Sequence, residues 1–304
     1  MKIIRPVTIN DSIFQSSTVP EADQAEWLNG TTYHVNDLVM VTTTANGAAT
    51  ATHKIYKSVH SNAGNDPTVD TGTNWTEVSS TNRWKMFDAV VQDQTVKATS
   101  INTVLQSPTV VNALSLLNVD ATTVTVTVTD SVEGVVYNQT YNLTSYSGIQ
   151  DWYSYFFEPI IRKDTLALTD LPPYANASIS VTINSGADAK VGALVIGQFA
   201  DLGLSQHGAS ISIIDYSTKT TDALGRVSIT DGPYADKMEV DVVLDTSRIG
   251  QANTTLSSLR TTPVVWIAED NNDDLVIYGY YREFDIILSN PTISRISLEI
   301  EGLV

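Results

Sequence analysis

"TTVTVTVTD", residues 122–130, alternates Val124, Val126 and Val128 with threonines. Successive side chains of a strand point to opposite faces, so a period of two writes one apolar and one polar face. β-branched residues are the natural population of such pleated surfaces. The device recurs along the chain. "MEVDVVL" (238–244) sets Met238, Val240, Val242 and Leu244 against Glu239 and Asp241, and "SISVTI" (178–183) repeats it. In "ISLEIEGLV" (296–304) it places Ile296, Leu298 and Ile300 inward. Helical signal is scarce: "QANTTLSSLR" (251–260) predicts one short helix with Leu256 and Leu259 inward. The class is all-β, a small aromatic-cored module followed by antiparallel β-sandwich domains, with at most one or two short helices.

Composition bounds the function. The 304 residues suffice for two or three domains, and a hydrophobic content of 42% is enough to build their cores. Seventeen basic against 34 acidic residues, net −17, argue against a nucleic-acid surface, which needs a basic stripe. No cysteine is present, so disulfides and thiolate metal sites are excluded and stability must come from packing or assembly. "MKIIRPVTINDS" has a basic start but no continuous apolar stretch, which predicts no secretory signal. The longest pure apolar run, "VGALVIG" (191–197), is far short of the ~18 residues of a membrane span.

Texture divides the chain. Residues 1–22 read as an arm or first strand, 23–81 as a small turn-rich unit, 82–199 as a first β-sandwich domain and 200–304 as a second β-rich domain. The last break sits near "GQFADLGLSQHG" (197–208), read as a glycine-rich loop. In the small unit, Trp27, Tyr33, Asp37, Val39, Tyr56, Pro67 and Trp75 are spaced in a recognisable way. A unit this size has too little interior for aliphatics alone, so large aromatics fill it. The spacing resembles the small chitin-binding type of carbohydrate-binding module. That resemblance implies a sugar site, for which Trp27, Tyr33, Tyr56, His60 and Trp75 are the candidates. The tandem tryptophans on which such modules stack sugar are replaced by Lys57, Ser58 and Val59. The aromatics therefore also read as the core of a spacer or docking module.

"NRWKMFDAVV" (82–91) crowds Arg83, Trp84, Lys85, Met86 and Phe87 together just after the module. A joint must bury apolar area on both sides of a short linker. Trp84, Met86 and Phe87 supply that area, at about 2–3 kcal/mol per buried large side chain. Arg83 and Lys85 can lay their stems over the seam.

"NRWKMFD", "YSYFFEPI", "DLPPYANASISVTI", "LGLSQHGASISIIDYSTKTTDALGRVSI", "YGYYREFDIIL" and "SLEIEGLV" together resemble a family of bacteriophage tail proteins. The resemblance implies a virion subunit at the distal tail, baseplate or appendage base, folded in the host cytoplasm before assembly. Its partners would be other tail subunits and further copies in a ring, with host surface glycan as a possible ligand of the 23–81 module. A glycan-binding adhesion protein is the alternative reading. "DWYSYFFEPI" (151–160) is read as a strand with aromatics on both faces, one toward a core and the other toward another subunit. Trp152, Tyr153, Tyr155 and Phe157 are the candidate assembly residues.

Reaction chemistry is not indicated. Asp270, Asn272 and Asp274 match the first ligand positions of a calcium loop, but Leu275 and Tyr281 stand where glycine and glutamate are needed. Asp215, Tyr216, Ser217, Lys219 and Asp222 cluster in residues of the kind that make turns. The four histidines, at 34, 53, 60 and 207, suggest no nucleophile–base pair. The reading is a non-enzyme with no cofactor and no metal.

Overall fold

The computed structural model describes residues 1–145, 151–157, 161–221, 224–269, 275–288 and 290–304. Strands hold 53% of the residues and helices 8%, the all-β class that the alternation predicts. The chain begins with β1 (Lys2–Pro6) and β2 (Phe14–Ser17). β1 is no loose arm: Ile3 and Ile4 are fully buried, and the strand lies inside the large sheet described below.

The small unit contains β3 (Thr32–Tyr33), β4 (Leu38–Val41), β5 (Lys54–Ser58), β6 (Asn62–Ala63) and β7 (Trp75–Ser80). β4, β5 and β7 form a three-stranded antiparallel sheet, and β3 and β6 a two-stranded ribbon. Between them lies a separate core of Trp27, Tyr33, Val39, Val41, Ala48, Tyr56 and Trp75.

The next region runs through β8 (Thr95–Gln106), β9 (Ala113–Asp120), β10 (Thr123–Asp130), β11 (Gly134–Asn142) and β12 (Thr144–Ser145). It continues with helix α1 (Trp152–Phe157), β13 (Ile161–Arg162), β14 (Leu166–Leu168) and the 24-residue β15 (Ser178–Asp201). Val124, Val126 and Val128 of β10 and Ile179, Val181 and Ile183 of β15 face one core, as the period of two requires. Their other faces form registered rows across β11, β10, β15 and β8. One row is Asn142, Thr123, Asn184 and Ser100, and the next is Thr140, Thr125, Thr182 and Asn102. A third is Asn138, Thr127, Ser180 and Val104, and none of the twelve residues is charged.

β15 is the spine. Its first half pairs β8 and β10, and its second half pairs β9 and β1. "VGALVIG" lies in that second half and is buried throughout, which is why an apolar run replaces alternation there. Residues 197–201, read as part of a loop, are instead the end of this strand. Gly197 serves close approach rather than turning: a Cβ there would sit 1.9 Å from the Arg5 carbonyl oxygen of β1.

The last region comprises β16 (Leu204–Ser205), β17 (Ser210–Asp215), β18 (Thr218–Thr221), β19 (Val227–Thr230) and β20 (Tyr234–Asp245). After them come α2 (Ile249–Ser258), β21 (Val264–Ile267), β22 (Val276–Ile287) and β23 (Ile293–Gly302). Met238, Val240, Val242 and Leu244 meet Ile296, Leu298 and Ile300 in one core, which Leu256 and Leu259 close from the helix side. The main sheet path runs β11-β10-β15-β1-β21-β22-β23-β20-β16, so β1 joins the two regions. A further core gathers Ile4, Ala113, Leu117, Ala193, Val195, Val265, Ile267 and Val276 across the same seam. The boundary read at 199/200 falls near the end of β15, and the core of the seam draws on residues from both sides of it.

Candidate functional site

The small unit uses its aromatics inward. Trp27, Tyr33, Tyr56 and Trp75 are buried, and only His60 of the sugar candidates is exposed. Tyr33 meets Trp75 edge to face at 5.1 Å. The Trp75 Nε1–H donates to the Asn65 carbonyl at 2.9 Å, and the Leu28 N–H donates to the Tyr33 hydroxyl at 2.8 Å. These four residues therefore present no face on which a sugar could stack. The His60 carbonyl accepts from the Ser58 hydroxyl and the Asn62 amide, which closes the loop on itself.

The joint residues are brought together. Met86 is buried in the core beneath β8, β10 and β15. Trp84 packs on Phe14 at 5.2 Å and on Phe87 at 5.7 Å. Lys85 pairs with Asp93 at 2.7 Å. The Arg83 Nε–H donates to the Val19 carbonyl at 2.7 Å, and its Nη1 reaches Glu21 at 3.3 Å. Sequence reasoning missed the centre of this cluster. His53, on the small unit, stacks on Trp84 at 4.2 Å with 20° between the planes. Its two ring nitrogens each lie 2.9 Å from a carboxylate, Nδ1 from Glu21 and Nε2 from Asp11.

Both contacts are satisfied at once when both ring nitrogens carry protons, that is, by the imidazolium. Burial disfavours its charge, but the hydrogen bond and charge of Glu21 and the charge of Asp11 outweigh burial and raise the His53 pKa. Burial also penalises the Glu21 carboxylate. Hydrogen bonds from His53 and Thr81, with the charges of His53 and Arg83, overcome that and hold its pKa below the ordinary value. A histidine 32 residues from one partner and 42 from the other leaves no local signal; its left-handed φ of 54° is visible only in the fold.

Two surfaces carry bare apolar side chains. The first corrects the reading of residues 151–160 as a strand: 152–157 form α1. Helical spacing lets residues four apart meet, and Trp152 stacks on Phe156 at 6.1 Å while Tyr153 packs on Phe157 at 5.0 Å. The strand reading put one aromatic face against a core. Instead Trp152, Tyr153, Tyr155, Phe156 and Phe157 are all exposed, by 57–79%. In chain order α1 falls between β12 and β13, which pair with each other.

The second surface is an arm. β17 extends from β20, and beyond it β18 and β19 form a two-stranded ribbon in which every residue is exposed. Ile211, Ile213, Tyr216, Val227, Ile229 and Tyr234 are 44–63% exposed along it. Of the polar cluster read at 213–225, Asp215 ends β17, Tyr216 and Ser217 make the turn into this ribbon, and Lys219 lies on β18. Hydrogen bonds from the Ser217 hydroxyl and N–H and from Lys219 hold the Asp215 carboxyl at about 2, so it is committed to the turn. Asp222 and the candidate calcium ligands Asp270, Asn272 and Asp274 lie outside the described residues. Among the described residues, no group of three or more His, Asp or Glu could hold a metal ion. No helix there is long and apolar enough to cross a membrane. No family model and no curated protein matches the chain.

Proposed function

We propose that this chain is a structural subunit of a tailed-phage virion, placed at the distal tail, baseplate or appendage base, where it builds a scaffold from repeated copies. The arm carries this reading. A two-stranded ribbon standing alone is marginally stable in water, so one with bare isoleucine and valine needs a partner. Half-exposure of the six large apolar side chains named above, two on the ribbon and four on β17, the turn after it and the start of β20, leaves on the order of 600 Å² to cover, close to the ~800 Å² per partner of a stable interface. An arm that enters a different surface on the next copy makes a heterologous contact, the kind that closes into rings. The exposed aromatics of α1 supply a second contact, toward a neighbouring tail subunit. The reading assigns the chain no reacting centre. The adhesion alternative is not favoured, because the module's aromatics are core.

The test uses the purified full chain. Sedimentation and negative-stain imaging are expected to show rings, lost in Val227→Asp/Ile229→Asp with unchanged circular dichroism. A wild-type chain that stays monomeric at high concentration, or a double variant that still forms rings, refutes the reading.

A further inference from the structure

β11 ends the main sheet. Its inner edge pairs β10 from Thr123↔Asn142 to Asp130↔Gly134, and among the described residues no strand pairs its outer edge. Edges of this length are usually guarded by lysine, proline, a bulge or a covering loop. This one, "GVVYNQTYN", has no charged residue and no proline. A register shift between Val128 and Thr129 disturbs only the turn end, leaving Tyr137 to Asn142 in regular register. β-branched, tyrosine, asparagine and glutamine residues without charge are the composition that zips sheets together. A bare edge of this kind is either covered in the working protein or a site of uncontrolled association.

Electrostatics select the cover. Copies with net charge −17 repel wherever their acidic surfaces meet. The edge and the three uncharged rows beside it are where two copies approach at least cost. Self-complementarity then selects a register. With a twofold axis at Gln139, antiparallel pairing sets Gln139 against its own copy, Asn138 against Thr140, and Tyr137 against Tyr141. Tyr137 and Tyr141 already share a hydroxyl–hydroxyl bond along the strand, so the axis gathers four tyrosines. An axis at Asn138 or Thr140 instead sets Tyr141 against Val135 or Gln139 and forms no such cluster. Aromatic cross-strand pairs contribute roughly 0.2–1 kcal/mol each.

We infer that β11 pairs antiparallel with β11 of a second copy of this chain, about a twofold axis at Gln139. The inference deepens the assembly reading and rests on it only in taking copies of the chain to meet one another. Combined with heterologous contacts through the arm, an isologous edge joins two rings back to back.

The absence of cysteine makes a clean test, since Gln139→Cys introduces the sole thiol. Directly opposed residues of an antiparallel pair have Cα atoms about 4.5–5.5 Å apart, within the ~4.4–6.8 Å of a disulfide. Mild oxidation of the full-length Gln139→Cys chain is expected to give a dimer on non-reducing gels that reductant reverses. Val132→Cys, 90% exposed in the neighbouring turn, is the control and should remain monomeric. Crosslinking of Gln139→Cys no greater than that control overturns the inference. A second variant, Thr140→Lys, places a charge on the edge; persistence of the wild-type dimer in it, with the fold intact, also overturns the pairing. Repeating the crosslink in Val227→Asp/Ile229→Asp separates the two claims. Loss of rings there with the crosslink retained supports both, whereas rings without any Gln139→Cys crosslink leave the arm reading standing and remove this one.

Discussion

Replacing His53 with asparagine tests how the small unit is seated. Asparagine tolerates the left-handed φ of 54°, carries no charge and cannot reach both carboxylates. The Glu21 contact is charge-assisted and its partner only 7% exposed, so its loss costs about 1.5–3 kcal/mol. The Asp11 carboxylate is 65% exposed, and that contact contributes at most about 1 kcal/mol after solvent screening. Losing the stack on Trp84 adds roughly 0.5–1.5 kcal/mol. The total is about 3 kcal/mol off the unfolding free energy at slightly acid pH. The sign of the pH dependence follows from the two shifts. A raised His53 pKa contributes stability that is complete below the unfolded value of about 6.5 and disappears as pH rises through the folded value. A lowered Glu21 pKa contributes stability present above its unfolded value and lost as pH falls through the folded one. The joint is therefore firmest between about pH 4.5 and 6.5. Urea unfolding followed by tryptophan fluorescence at about pH 5.5 and about pH 9 reads both effects. The wild-type advantage should be largest at the lower pH and shrink by half or more at the higher. Equal stability of the two proteins at about pH 5.5, or an advantage that grows with pH, would refute the charged-histidine account.

Four further perturbations separate packing from assembly. Gly197→Ala forces a Cβ to within 1.9 Å of the Arg5 carbonyl and should cost about 3 kcal/mol or more in denaturant unfolding. Gly250→Ala, with open space around it in α2, should be neutral or stabilising by about 0.5 kcal/mol. Trp266→Phe removes a buried hydrogen bond of 3.0 Å from its Nε1–H to the Gly279 carbonyl, and about 1–3 kcal/mol of stability should go with it in the same assay. Tyr153→Ser/Tyr155→Ser alters only exposed side chains of α1, so the thermal midpoint should hold while incorporation into particles fails; full incorporation would remove α1 from the assembly surface.

The alternating valines at 124, 126 and 128, and the same device at 238–244 and 296–300, were legible because side-chain direction along a strand is a local property of the backbone. So was α2, where Leu256 turns inward and Leu259, just past the helix end, joins the same core. The aromatics of the small unit announced a module, but their spacing alone could not say whether the rings faced inward or toward a ligand. Residues 152–157 were misread because an aromatic run satisfies a two-residue and a four-residue spacing alike, and pairwise stacking chose the helix. What only the tertiary structure decided is everything that depends on distant segments meeting. β15 serves four partner strands, and β1 closes the seam between the two regions from the other end of the chain. His53, Glu21, Asp11 and Trp84 become one charged cluster, while the outer edge of β11 goes unpaired among the described residues. Local sequence sets which way each side chain points; which strands lie side by side is settled by the burial of faces far apart in the chain.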